Sequence, residues 1–178
     1  MSKSILTIWT IGHSTRTLQE LHQLLLGQGI EALVDVRSFP GSRRYPQFNR
    51  DQLSIALTSK GIDYHHLPSL GGRRTPKADS PNTAWQNASF RAYADHMASA
   101  EFEQGINDLL ALAGQKPTVI MCAEAVWWSC HRSLIADHLK SIGVKVIHIL
   151  DGKRIEEHPY TTAARLVDGE LSYRGLLP

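Results

Sequence analysis

The chain has 178 residues, 42% of them hydrophobic and 20% charged, with a formal net charge of +2. Such a chain is long enough to bury a normal core without staples, and two cysteines exclude a disulfide framework. No apolar run approaches the roughly 18 residues of a membrane span, and the net charge is too small to imply nucleic acid by itself.

Met1-Ser2-Lys3-Ser4 leads straight into Ile5 to Ile11, an apolar, β-branched run that stops at Gly12-His13-Ser14. A secretory signal is not expected, and a cytoplasmic protein with reduced thiols is. Thr17 to Leu26 has Leu18, Leu21 and Leu25 at helical spacing, with Ser14 or Thr15 as the expected cap and Gly27 and Gly29 at the end. Ala32 to Val36 is a short strand broken by Pro40-Gly41, followed by an arginine-rich loop to Asn49. A second helix carries Leu53, Ala56 and Leu57 and stops at Gly61. Ile62 to Leu67 then reads as a strand before Gly71-Gly72-Arg73-Arg74.

Thr75 to Asn87 is the one long segment of loop composition, a length often used for lids. Phe90 to Ala113 is predicted helical with an interruption at Glu103-Gln104-Gly105. Thr118 to Met121 is a buried strand, Ser129 to Ile142 a helix and Val144 to Leu150 another strand. The tail beyond Asp151-Gly152 reads as a turn, an edge strand and irregular structure ending at Leu171-Ser172-Tyr173. The expected fold is therefore α/β, a single domain over residues 1–178, three-layered. A mostly parallel, Rossmann-like sheet carries helices on both faces.

In open sheets of this kind ligands bind outside the carboxyl ends of the strands. The residues that follow the strands are Gly12-His13-Ser14, Arg37-Ser38, Gly71-Gly72-Arg73, Cys122-Ala123-Glu124 and Asp151, and they are expected along one rim. Ser129 reads as an N-cap, which places Cys130 in the first turn of the helix behind it. There the helix dipole and free N–H groups favour a thiolate. Arg132 in the same turn opposes the dipole unless an anion lies between them, so the turn is a candidate anion site.

Three readings of Cys130 stand side by side. It is a buried small hydrophobe beside Leu134, or a nucleophile with His131 or Glu124 carrying the proton, or a metal ligand with Cys122, His131 and His13. The C-x7-C-H spacing matches no usual structural zinc pattern. The glycine-free stretch from Cys122 to Arg132 is too long for a phosphatase-type or sulfurtransferase-type loop. Cys122 ends a buried strand and reads as core, whereas Glu124 reads as the partner of a rim arginine or as a general acid/base. Of Trp127 and Trp128, at least one is expected to pack, and a ligand-stacking role is open to the other. His65, His66, His96 and His148 follow no functional pattern.

Ile11-Gly12-His13-Ser14-Thr15, Asp35-Val36-Arg37-Ser38-Phe39-Pro40, Phe48-Asn49 and Gly61-Ile62-Asp63-Tyr64 form an ordered set. It continues with Leu70-Gly71-Gly72, Met121-Cys122-Ala123-Glu124, Cys130-His131-Arg132 and the tail from His148 through Asp151-Gly152 to His158-Pro159-Tyr160. Together they resemble the Domain of Unknown Function 488 family over nearly the whole chain. The resemblance implies a compact α/β fold and a bacterial-type cytoplasmic protein, but supplies no activity and no catalytic residues.

Six of the twelve arginines lie between Arg37 and Arg74, and arginine suits bidentate recognition of phosphate or carboxylate. A solvated basic loop is the plain alternative. The leading expectation is an enzyme acting on a phosphate-bearing substrate, a nucleotide or nucleic acid. Cys130, His131, Glu124 and His13 are its candidate catalytic groups. Arg132, Arg37, Ser38, Arg43, Arg44, Gly71, Gly72, Arg73 and Ser14 are its candidate substrate contacts. The alternatives are a non-catalytic nucleic-acid-binding or sensing module and a metal- or redox-sensing protein. The sequence requires no cofactor, assigns no metal site and implies no membrane partner. The expected partner is an anionic small molecule or nucleic acid.

Overall fold

The computed structural model describes residues 2–176. Five parallel strands and one antiparallel strand form a six-stranded sheet. The strands are β1 (Thr7–Gly12), β2 (Ala32–Asp35), β3 (Asp63–His66), β4 (Thr118–Cys122), β5 (Lys145–Ile149) and β6 (Ile155–Glu157), in the spatial order β3-β2-β4-β1-β5-β6. β6 runs antiparallel to β5 at one edge. Helices α1 (Leu18–Gly27) and α2 (Arg50–Thr58) set Leu21, Leu25, Leu53 and Leu57 against Ile11, Leu33 and Val119 on one face. On the other face, α3 (Ala88–His96), α4 (Ala100–Ala113) and α5 (Arg132–Ser141) cover Ile8, Val34 and Ile120. The period of two along each strand thus divides the apolar side chains between two cores. The fold is the three-layer α/β arrangement expected. No helix among the described residues is long and apolar enough to cross a membrane.

The connection from β1 to β2 passes β4, and the connection from β4 to β5 passes β1 in the opposite direction. β1 and β4 are neighbours, with Gly12 opposite Cys122. Chains leaving adjacent strand ends in opposite directions open a crevice above them, the position at which α/β sheets hold ligands. The β4 chain closes tightly over this point. A Cβ on Gly12 would lie 1.6 Å from the Glu124 carbonyl oxygen, so only glycine admits that crossing.

Four local expectations are corrected. Thr17, and neither Ser14 nor Thr15, caps α1, in a capping box with Glu20. The helical stretch after Asn87 breaks at Met97–Ser99, where Ser99 caps α4 through the Phe102 N–H. Gly105 lies inside α4 because a Cβ there would press on Ser69 and Leu70. α5 begins at Arg132, since Trp127–Ser129 forms a 3-10 turn and Cys130 is extended (φ −142°, ψ 172°). The tail, read as a turn, an edge strand and irregular structure, has the edge strand as β6 and, beyond it, a hairpin of β7 (Arg165–Val167) and β8 (Glu170–Ser172). Asp168 and Gly169 turn it with positive φ values of 52° and 81°.

Candidate active site

A cleft of about 530 Å³ opens above the carboxyl ends of β1, β2 and β4, with His13, Ser14, Arg37, Ser38, Arg73 and Glu124 in its walls. It merges with a smaller recess of about 240 Å³ that shares Arg37, Ser38, Arg73 and Glu124 and reaches Cys122, Cys130 and His131. Strand ends distant in sequence therefore meet at one place.

Arg37 forms the wall between the two spaces. Its Nε and Nη2 donate to the two oxygens of the fully buried Asp35 carboxylate at 2.9 and 2.7 Å, and Nη2 also donates to the Phe48 carbonyl at 2.7 Å. Tyr64 Oη donates to the same carboxylate at 2.6 Å. Burial, then the Asp35 charge and its hydrogen bond, push the Tyr64 hydroxyl far above its ordinary range. Arg37 Nη1 is left at the cleft, 3.4 Å from His13 Nε2. The His13 ring stacks on Phe48, and its Nδ1–H donates to the Ser14 carbonyl at 2.9 Å. Burial holds the His13 pKa down, with the Arg37 charge adding to it against the Ser14 hydrogen bond, so the ring is neutral and Nε2 accepts from Arg37. Ser14 itself stands at φ 50°, a conformation uncommon outside glycine.

The smaller recess is built around sulfur. Cys122 Sγ and Cys130 Sγ lie 3.0 Å apart, both buried. The backbone N–H and the Nε–H of Arg132 each donate to Cys130 Sγ at 3.4 Å. Burial alone would raise the Cys130 pKa. Hydrogen bonds from Cys122 and His131 and the Arg132 charge outweigh it and hold the thiol well below its ordinary value. Cys122 moves the other way, raised by burial and by donating to its neighbour. With two Arg132 donors aimed at it and none at Cys122, Cys130 is the more readily ionised of the two sulfurs. The Val36 carbonyl accepts from His131 Nε2–H at 2.8 Å, which leaves Nδ1 as the nitrogen with a free lone pair. Gly72 packs against this ring, and a Cβ there would lie 2.5 Å from Nδ1.

Arg132 is completely buried, and among the described residues no carboxylate lies within ion-pair distance of it. Its Nη2 donates to the Glu124 carbonyl at 2.7 Å and its Nη1 to Thr10 Oγ1 at 3.1 Å. Behind Thr10 runs a chain of buried polar groups with one direction. Thr10 O–H donates to His148 Nδ1 at 2.6 Å, His148 Nε2–H to His158 Nδ1 at 2.8 Å, and His158 Nε2–H to Asp137 at 2.7 Å. The Thr161 N–H and hydroxyl and the Tyr173 hydroxyl complete the shell of that carboxylate. Trp127 stacks on His148 at 4.6 Å. Burial, with the neighbouring His158 and Arg132, lowers the His148 pKa to about 2.

The structure brings Cys130, His131, Glu124, His13, Arg37, Ser38, Gly72, Arg73 and Ser14 to the two connected spaces. Arg132 does not reach the rim. It donates inward to the Cys130 sulfur, where an external ligand was expected. Arg43 and Arg44 are exposed away from the cleft walls, and Arg44 lies over the Tyr45 ring. Ser38 Oγ accepts the Arg73 N–H at 2.9 Å, and Gly71 packs against Ser38, so both hold the loop that carries Arg73. The expected pairing of Glu124 with an arginine is made by its carbonyl. Its exposed carboxylate has no ion partner among the described residues. The sequence assigns no role to Asp35, Tyr64, His148 and His158, which stand only in the motifs of the resemblance, nor to Thr10 and Asp137. The readable signal was Asp137, a carboxylate three residues beyond Leu134 on the apolar stripe of α5. Among the described residues no cluster of three or more His, Cys, Asp or Glu side chains suits a metal ion.

Sheet and site together define an α/β protein with a cysteine-bearing cleft at the carboxyl ends of its strands. A family model described as "Domain of unknown function DUF488" matches residues 17–139, and the chain belongs to that family. The match includes Arg37, Gly72, Glu124 and Cys130-His131-Arg132. No curated protein and no solved structure matches the chain.

Proposed function

We propose that the protein is an enzyme whose nucleophile is the Cys130 thiolate, acting on a small anionic substrate held in the cleft. The observation that carries this reading is the buried Arg132, which donates its backbone N–H and Nε–H to the Cys130 sulfur and has no carboxylate within ion-pair distance among the described residues. A buried arginine without a counter-ion is strongly unfavourable, by about 3–5 kcal/mol when one partner of a buried pair is removed. The arrangement therefore favours the thiolate at neutral pH. His131 Nδ1 takes the thiol proton and returns it to the departing group, and Glu124 stands at the mouth as a second proton carrier.

Arg73 and Arg37 Nη1 supply the anion subsite. Exposed Phe39, under the Arg73 guanidinium at 5.5 Å, offers a flat wall beside it. An anionic group next to a planar one is the chemistry of a nucleotide, which is the substrate class we favour. His13 serves this site by holding Arg37.

The test is the rate of Cys130 alkylation by iodoacetamide across pH, followed by peptide mass spectrometry. Reaction is expected to set in well below the pH at which an ordinary thiol of pKa about 8.5 begins to react. Arg132→Met should move the profile up by a unit or more. A wild-type onset at the ordinary thiol value would remove the nucleophile and the reading with it.

A further inference from the structure

We infer that Cys122 and Cys130 are a dithiol–disulfide couple that reduces a small hydroperoxide, with Cys130 as the attacking sulfur and Cys122 as the resolving one. The inference rests on the thiolate reading above and adds a second reaction to the same sulfur. Three features of the recess support it. The two sulfurs are 3.0 Å apart, so about 1 Å of further approach brings them to bonding distance. Both line the recess, whose volume of about 240 Å³ admits a small oxidant beside them. They also differ in surroundings, since Arg132 donates two N–H groups to Cys130 and none to Cys122, which favours Cys130 as the first to attack and Cys122 as the second.

In the first step the Cys130 sulfur attacks one peroxide oxygen. An S–O bond forms, the O–O bond breaks, and sulfur is oxidised by two electrons to sulfenic acid. The departing alkoxide or hydroxide takes the proton that His131 Nδ1 received from the thiol. In the second step Cys122 sulfur attacks Cys130 sulfur, the S–S bond forms, and the hydroxyl leaves with the Cys122 proton as water. The sum is two thiols and one hydroperoxide giving a disulfide, an alcohol or water, and a further water.

The disulfide carries no charge. Oxidation therefore takes from Arg132 the charge on the sulfur it donates to, while the guanidinium stays buried among Thr10, the Glu124 carbonyl and the start of α5. A short disulfide ordinarily raises stability. Here the oxidised protein is expected to melt at a lower temperature than the reduced protein. For the same reason the bond is readily reduced, as in other couples whose reduced form is stabilised by its surroundings.

The experiment treats the full chain with stoichiometric hydrogen peroxide and follows it by intact and peptide mass spectrometry. Expected are the loss of two hydrogens, a Cys122–Cys130 cross-linked peptide, full reversal by dithiothreitol, and a lower melting temperature for the oxidised form. Cys122→Ser, which keeps a hydroxyl donor beside Cys130, should form no cross-link and instead collect a sulfenic acid at Cys130 that dimedone traps. Wild-type protein that alkylates at low pH but gives sulfenic or sulfinic acid without cross-link would overturn the couple and leave the nucleophile standing. An oxidised form that melts higher than the reduced one would overturn the role given to Arg132. Failure of the alkylation itself would remove both readings together.

Discussion

Two clusters of polar side chains lie on either side of Arg132, and they are built on opposite rules. In the chain from Thr10 through His148 and His158 to Asp137, each group donates in one direction and the terminal carboxylate accepts four hydrogen bonds. In the cleft, the Glu124 carboxylate, one edge of Arg37 and the Arg73 guanidinium are left with capacity to spare. Buried polar groups are tolerable when all are satisfied, and they then fix one arrangement of the segments that carry them. Groups left free beside water stabilise little and are available to a ligand. The comparison assigns architecture to the first cluster and chemistry to the second. Arg132 joins them, anchored through Thr10 on one side and bonded to sulfur on the other.

The largest expected effect comes from breaking the satisfied cluster. Asp137→Ala removes the acceptor for the His158 ring, the Thr161 N–H and hydroxyl, and the Tyr173 hydroxyl, all from segments far along the chain. Stranding several buried donors should cost about 3–5 kcal/mol in denaturant unfolding. The Cys130 alkylation profile of the protein that remains folded should hold its position. A loss under about 1 kcal/mol would show that this cluster does not hold the architecture.

Acid should separate the clusters more gently. His148 titrates near 2 in the folded protein, held down first by burial. His13, His96 and His138 are lowered as well, each chiefly by burial. As pH falls below about 6.5, the unfolded chain takes up protons that the folded chain refuses, so stability declines. The slope for His148 alone is about 1.4 kcal/mol per pH unit, and it persists towards its folded value. The measurable window is pH 6.5 down to about 5, above the range in which most carboxylates titrate. An unchanged melting temperature across that window would mean that the buried imidazoles gain protons in place, contrary to the one-directional chain.

The positions of these clusters were legible in the sequence to different degrees. Apolar runs ending in Gly12-His13, Asp35-Val36-Arg37 and Cys122-Ala123-Glu124 announced parallel strands, and the carboxyl-end rule then placed His13, Arg37 and Glu124 in one cleft. The direction of Arg132 was not legible. It depends on the phase of α5 over the sheet, and the burial of Trp127 against His148 shifts the helix start from Ser129 to Arg132. The same shift turned Cys130 from a helical residue into an extended one whose sulfur meets Cys122. Partners from His158, Thr161 and Tyr173 come from a tail whose path is set by tertiary packing on α5. By contrast, the Asp168-Gly169 turn was a readable hairpin signal, and Ser99 was a readable cap.

The smallest effect on stability, and the most specific on chemistry, is expected from Glu124→Gln. The side chain is exposed and unpaired, so unfolding should change by no more than about 0.5 kcal/mol. Its charge nevertheless stands over the route to Cys130. Comparing iodoacetate with iodoacetamide isolates that field, because the two reagents differ in charge while alkylating the same sulfur. Removal of the carboxylate should raise the iodoacetate-to-iodoacetamide rate ratio by about two- to fivefold, the range for unit charges several ångströms apart near a surface. Arg73→Ala should lower the ratio by a similar factor, and added salt should compress both changes. An unchanged ratio in both variants would mean that neither charge is felt at the sulfur. The free groups of the cleft would then be only a solvated edge, and the contrast with the buried chain would lose its chemical half.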